Sequence, residues 1–149
     1  MAISSLSMLG AAASSGAPFI EYVNTSASGI RVLEVHVQAA QASPQLTYYG
    51  LGRPATAGVG MTGAVTAIRD DPADPASGLQ AGIAWVGAPT APAQFLCRYT
   101  HSSGATSIGA GMSFTFPKDG LVIPPSKTLV WWCINGSAMA PTFTIVVDE

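Results

Sequence analysis

Charge is what this sequence lacks most. Only 9% of its 149 residues are Asp, Glu, Lys or Arg, against about 25% in an average soluble domain. The six basic residues, Arg31, Arg53, Arg69, Arg98, Lys118 and Lys127, are scattered along the chain. No basic stripe can form to neutralise a phosphate backbone, so nucleic acid is not an expected partner. Long hydrophobic runs are missing too. Hydrophobic residues make up 48% of the chain and mean hydropathy is +0.37, yet the apolar runs at 129–134 and 145–147 fall far below the ~20 residues of a spanning helix. A membrane is therefore not an expected partner either. The uncharged N-terminus, rich in Ala and Ser, lacks the basic leader and sustained apolar centre of a signal peptide. The expectation is a protein made inside the cell.

Catalytic raw material is equally thin, with two His and eight acidic residues. His36 alternates with Glu34 and Gln38, which reads as a solvated strand face. His101 precedes Ser102-Ser103-Gly104 in an expected loop, and neighbours in sequence do not make a triad, whose members must meet in space. No Gly-x-Ser-x-Gly elbow, phosphate loop or dinucleotide fingerprint occurs. Asp70, Asp71 and Asp74 could attract a hard cation, but they lack regular ligand spacing, and the intervening prolines favour a stiff acidic turn. Cys97 and Cys133 fall in separate expected strands among apolar neighbours. Free buried thiols are expected, with a disulfide as the alternative. The sequons Asn24-Thr25-Ser26 and Asn135-Gly136-Ser137 carry weight only in a secreted chain. No catalytic, cofactor-binding or metal-binding residue is assigned, and no enzymatic activity is expected.

What the chain does have is strand signal. One domain fits this length, and windows free of breakers with a helical period are nearly absent. Residues 30–38 alternate, with Leu33, Val35 and Val37 on one face. Strands are also expected at 46–49, 64–69, 83–86 and 94–100. Met112, Phe114 and Phe116 share a face, the segment 121–123 runs into Pro124-Pro125, and 142–147 alternates. The stretch 128–134 is apolar on both faces, so its second face must meet another layer or a neighbour. Tyr48-Tyr49 and Trp131-Trp132 could supply a sugar platform, but adjacent strand residues point oppositely, so one of each pair belongs to the core. The similar five-residue segments 58–62 and 109–113 are read as similar turns. Eight to ten short strands imply an all-β, two-sheet antiparallel sandwich, jelly-roll-like, over residues 18–149.

Residues 1–17 carry no charge and no clear period. They are expected to be an extended arm that docks on a neighbouring subunit through Ile3, Leu6, Met8 and Leu9; the alternative is an arm folded back on its own domain. A surface built from neutral and apolar groups, with a net charge of only -2, suits contact with other protein.

The motifs Gly52-Arg53-Pro54, Asp71-Pro72 through Pro75-Ala76-Ser77, Ala84-Trp85, Pro89-Thr90, Phe95-Leu96-Cys97-Arg98 and Gly109-x-Gly111-x-x-Phe114-x-Phe116-Pro117, followed by Gly120-Leu121-Val122-Ile123-Pro124-Pro125, together resemble a family of small structural proteins of tailed bacteriophage particles. The likeness covers most of the chain after Pro18. It implies a non-enzymatic virion component present in many copies: a capsid decoration or cement subunit, often trimeric, or a fibre or tail part. The implied partners are the major capsid protein, other virion proteins and further copies of the chain. The implied location is the virion, assembled in the host cytoplasm. The alternative is a receptor- or carbohydrate-binding module of a head or tail fibre.

Overall fold

The computed structural model describes residues 2–39, 46–101, 111–117, 119–138 and 140–149, and every regular element among them is a β-strand. In chain order these are β1 (Ile3–Leu9), β2 (Ala13–Ser14), β3 (Ala17–Asn24), β4 (Ile30–Gln38), β5 (Thr47–Pro54), β6 (Val65–Thr66) and β7 (Ile68–Arg69). There follow β8 (Leu79–Gly82), β9 (Pro92–His101), β10 (Gly111–Thr115), β11 (Leu121–Ile123), β12 (Thr128–Asn135), β13 (Ser137–Ala138) and β14 (Thr142–Asp148). Two antiparallel sheets of six strands result. One runs β10-β4-β14-β1-β7, with β11 also on β4; the other runs β6-β8-β3-β12-β5-β9.

The pairings nest. β1 pairs with β14, β3 with β12, β4 with β10 and β11, and β5 with β9, so the two halves of the chain form one long hairpin. Rolling that hairpin brings β14 onto β4 and β12 onto β5 and closes the two sheets. This is jelly-roll topology, as the strand count suggests.

Aromatic side chains fill the space between the sheets. Phe19 stacks on Tyr49 at 5.0 Å and Phe143 on Trp131 at 5.5 Å, while Phe19 and Phe143 lie 5.6 Å apart and join the layers. Two bulges make this packing possible. On β3 the register steps from Trp131↔Ile20 to Trp132↔Pro18, so Phe19 is an extra residue and both Phe19 and Ile20 are fully buried. On β4 the register steps from Val146↔Glu34 to Val147↔Val32. Ile30 and Val32 therefore point inward on one phase, Val35 and Val37 on the other, and Leu33 is left half-buried between them. The sequence expectation that Leu33 shares a face with Val35 and Val37 is corrected by that extra residue.

Residues 3–9, expected as an arm on a neighbour, are instead an internal strand between β14 and β7. The boundary expected at Pro18 is not a domain boundary, because Ser4 and Leu6 are buried on the core face and seven residues of β1 pair along β14. The alternative reading, a segment folded back on its own domain, describes what is found.

The connection from β5 to β9 supplies a third layer. Its residues 56–62 and 84–90 form a ribbon with bridges Val59↔Gly87 and Thr62↔Ala84, while β8 and β7 extend the far edges of the two sheets. This ribbon packs on the outer face of the second sheet at Glu21, and on that face Val130 and Trp132 are buried as well as Leu129 and Trp131 inside. The second apolar face of β12 thus meets the chain's own layer. Gly50 and Gly52 are required under it: a Cβ on Gly50 would collide with the side chains of Phe95 and Ile134, and one on Gly52 with Pro92.

Candidate functional site

Backbone parity along β1 exposes an open edge. Ala2 and Glu149 exchange N–H to O bonds of 3.2 and 3.0 Å, and Gly10 N–H donates to Pro141 O at 2.7 Å. Even-numbered residues of β1 therefore aim their backbone groups at β14, and Ile3, Ser5, Ser7 and Leu9 aim theirs the other way. On that side Asp70 N–H donates to Ile3 O, and β7 pairs only with Ser4 and Ser5. The outward backbone groups of Ser7 and Leu9 have no strand partner among the described residues.

A hollow of about 230 Å³ beside this edge is lined by Ser5, Leu6, Ser7, Val65, Thr66 and Ile68. These side chains are uncharged, half of them apolar and half hydroxyl-bearing. Leu9 is 51% exposed and Ile68 75%. Edge strands of soluble proteins are commonly guarded by Lys, Pro or a covering loop; here Ser7 to Leu9 carry none of these residues. Of the four side chains expected to make assembly contacts, Leu6 is core, Ile3 and Met8 are half-buried, and Leu9 alone is open. What the fold leaves exposed along this edge is thus its outward backbone and the side chains of Leu9, Val65 and Ile68. The last two were not singled out in the sequence, since their exposure arises only because β6 and β7 are short edge strands.

A second grouping lies on the outer face of the first sheet. His36 Nδ1 is 2.5 Å from Ser113 Oγ, and Nε2 is 3.1 Å from Glu34 Oε2. Register places Ser113, His36, Thr144 and Ser7 in one row across four strands, and Thr144 Oγ1 donates to Ser7 Oγ at 2.9 Å. Hydroxyl, imidazole and carboxylate in a line are the groups of a nucleophilic relay. Such a relay gains its power in a water-excluded site with donors aimed at the developing oxyanion. This row instead stands on a pleated face, with the His36 and Glu34 side chains 34% and 43% exposed. The strand position expected for His36 is found; its partner Ser113 comes from β10, a juxtaposition that only the register creates.

The remaining residues singled out in the sequence are dispersed. His101 is not in a loop: it ends β9 opposite Thr47 and is buried, while residues 102–110, including the start of the second five-residue segment, lie outside the described residues. Asp71 closes its own turn, with Oδ1 accepting from Ala73 N–H at 2.9 Å. Cys97 and Cys133 are free thiols on β9 and β12, and burial pushes both up to about 11. Asn24 of the first sequon is fully buried, and its Nδ2 donates to Ser28 O and Ile123 O. Among the described large aromatics, Tyr48 is the exposed one; Tyr49, Trp131 and Trp132 are buried.

Two carboxylates act as internal clasps. Glu21 is 1% exposed on the outer face of β3; it accepts from Gly58 N–H at 3.0 Å and from Trp85 Nε1–H at 2.8 Å, pinning the ribbon to the second sheet. Glu149 pairs with Arg69 at 3.1 Å and accepts from Gly78 N–H at 2.8 Å and from the Ser77 hydroxyl. Arg69 also donates to Ala2 O and Pro75 O. Both chain ends and the β5–β9 connection are thereby locked together beside the open edge. No family model, curated protein or solved structure matches this chain.

Proposed function

We propose that this chain is a structural subunit of a tailed-bacteriophage particle, acting as a decoration or cement protein that binds the shell and bridges neighbouring capsid proteins. The observation that supports this reading best is the open Ser7–Leu9 edge, flanked by exposed Leu9, Val65 and Ile68 and free of charge. Such an edge recruits another polypeptide strand through main-chain hydrogen bonds. Repetition over a lattice turns modest single contacts into shell stability, because every bound copy favours the assembled state by mass action.

Decoration of this kind places the protein in the virion after assembly in the host cytoplasm, with the capsid protein and further copies of the chain as partners. The test is co-sedimentation of the full chain with particles that lack it, comparing wild type with Ser7→Lys. Ser7 is exposed and its backbone faces the edge, so lysine adds charge there and removes the Thr144 hydroxyl contact while sparing every backbone bond to β14. Wild type should pellet with particles and the variant should stay in solution while retaining its fold. A wild-type chain that remains a soluble monomer beside particles would refute the reading.

A further inference from the structure

We infer that a cleft at one end of the sandwich, between the end of β5 and the β11–β12 turn, is a binding site for a small oxyanion. The cleft encloses about 360 Å³ and is lined by Arg53, Pro54, Pro124, Ser126, Lys127 and Thr128 among others; no acidic side chain lines it. Its size falls in the range of small-ligand sites. In a chain with only six basic residues, two converge here. Neither forms an ion pair among the described residues: Arg53 Nη2 donates to Val122 O at 2.9 Å, which fixes the guanidinium, and the three ion pairs of the described chain involve Arg31, His36 and Arg69.

Backbone conformation at the same place supplies a second, independent sign. Lys127 N–H donates to Pro124 O at 3.1 Å, closing a four-residue turn whose third position is Ser126. Ser126 has φ 58° and is the one described non-glycine residue with positive φ. That position in such a turn ordinarily takes glycine, and strained residues of this kind gather at ligand sites. Serine in place of glycine adds a hydroxyl at the cleft, next to the two cations. Arg53 and Lys127 would neutralise the oxyanion, the Ser126 and Thr128 hydroxyls would donate to it, and Pro54 and Pro124 would flank an uncharged body such as a sugar ring. The shared chemistry is a carboxylate or phosphate group; its source is either an acidic sugar or free phosphate.

The test titrates the full-length protein with D-glucuronate, inorganic phosphate and uncharged D-glucose, each to about 10 mM, followed by amide chemical shifts or calorimetry. Glucuronate should saturate, glucose should not, and added salt should weaken binding. Saturation by phosphate but not by glucuronate would keep the oxyanion site and assign it free phosphate. Lys127→Gln and Arg53→Gln should each raise Kd about tenfold through loss of a charge-assisted contact. Ser126→Gly should bind more weakly while melting higher than wild type, a combination that a purely structural turn would not give. The inference is overturned if neither anion saturates, if glucose binds as well as glucuronate, or if folded Lys127→Gln and Arg53→Gln bind unchanged.

Discussion

Asn24 ties the β3–β4 turn to the end of β11, and its replacement by Ala is the sharpest test of how this sandwich end is held. Its Nδ2 donates to Ser28 O at 2.7 Å and Ile123 O at 2.8 Å, and its Oδ1 accepts from Ser26 N–H at 2.8 Å and Ser26 Oγ at 2.7 Å. All four polar valences of the amide are used. Alanine leaves the Ile123 carbonyl without its side-chain donor in a buried position, which costs roughly 1–3 kcal/mol. The Ser26 and Ser28 contacts are partly solvated and water replaces them, adding about 1 kcal/mol more. The expected loss is ~2–4 kcal/mol, or a fall in Tm of about 5–15 °C for a chain of this length. Urea unfolding followed by the fluorescence of buried Trp131 and Trp132 should show the midpoint fall with an unchanged slope. Asn24→Asp should be worse than Ala at neutral pH, because it sets a charged oxygen against two carbonyl oxygens. In that variant the folded carboxyl pKa lies above its unfolded value of about 3.9. Its relative stability is therefore present below that value and lost as pH rises through it, so the deficit should shrink near pH 4. A loss below ~0.5 kcal/mol for Asn24→Ala, or Asp outperforming Ala at pH 7, would refute the reasoning.

Glu21→Ala removes the acceptor of Gly58 N–H and Trp85 Nε1–H and should cost ~2–4 kcal/mol; faster hydrogen exchange at Gly58 and altered Trp85 emission would report release of the ribbon, and Glu21→Gln should be milder. Cys97 and Cys133, both pushed up to about 11 by burial, should resist thiol reagents at pH 8 in the native state and react only on unfolding. Their folded pKa values lie above the unfolded thiol value of ~8.5. The stability they contribute is thus complete below that value and is lost as pH climbs towards 11, an alkaline decline that urea titrations at stepped pH would detect; buried Tyr22 and Tyr49, also raised by desolvation, act in the same direction. Ser126→Gly should stabilise by ~0.5–1 kcal/mol, the left-handed strain relieved less the added chain entropy, as a thermal melt would show.

Strands were legible wherever one face is wet or the residues are strongly β-forming. The segments 30–38, 94–100, 128–134 and 142–147 correspond to β4, β9, β12 and β14, with boundaries within a few residues. β3 was not legible, because Phe19, Ile20, Glu21 and Tyr22 are all buried: the bulge doubles the inward set and the ribbon covers Glu21, so no alternation survives. β5 reads as broken after Tyr49 because Gly50 and Gly52 look like turn signals, whereas they are the hollow into which Phe95, Ile134 and Pro92 pack. The segment 64–69 holds two strands in different sheets, split at buried Ala67. At 83–86 the expected strand is displaced to β8 at Leu79–Gly82, with Ala84 left as an isolated bridge.

The open edge shows why the candidate site was harder to read than the fold. The sequence of β1 presents hydrophobic residues that invite a contact through side chains, yet Leu6 turns into the core. What faces outward is backbone, and backbone is the same in every sequence. Whether an N–H is free depends on how far the neighbouring strand runs. β7 begins only at Ile68, opposite Ser5, because the chain crosses at Ala67 from β6, which pairs with β8 in the other sheet. The length of one two-residue strand, set by that crossing, therefore leaves Ser7 and Leu9 without a strand partner among the described residues. Extending β7 by two residue pairs would occupy the outward groups of Ser7, and by four those of Leu9, without changing the charge or hydropathy of any residue in β1. Low charge is consequently permissive for strand addition at this edge, and what leaves the edge available is a register that no composition records.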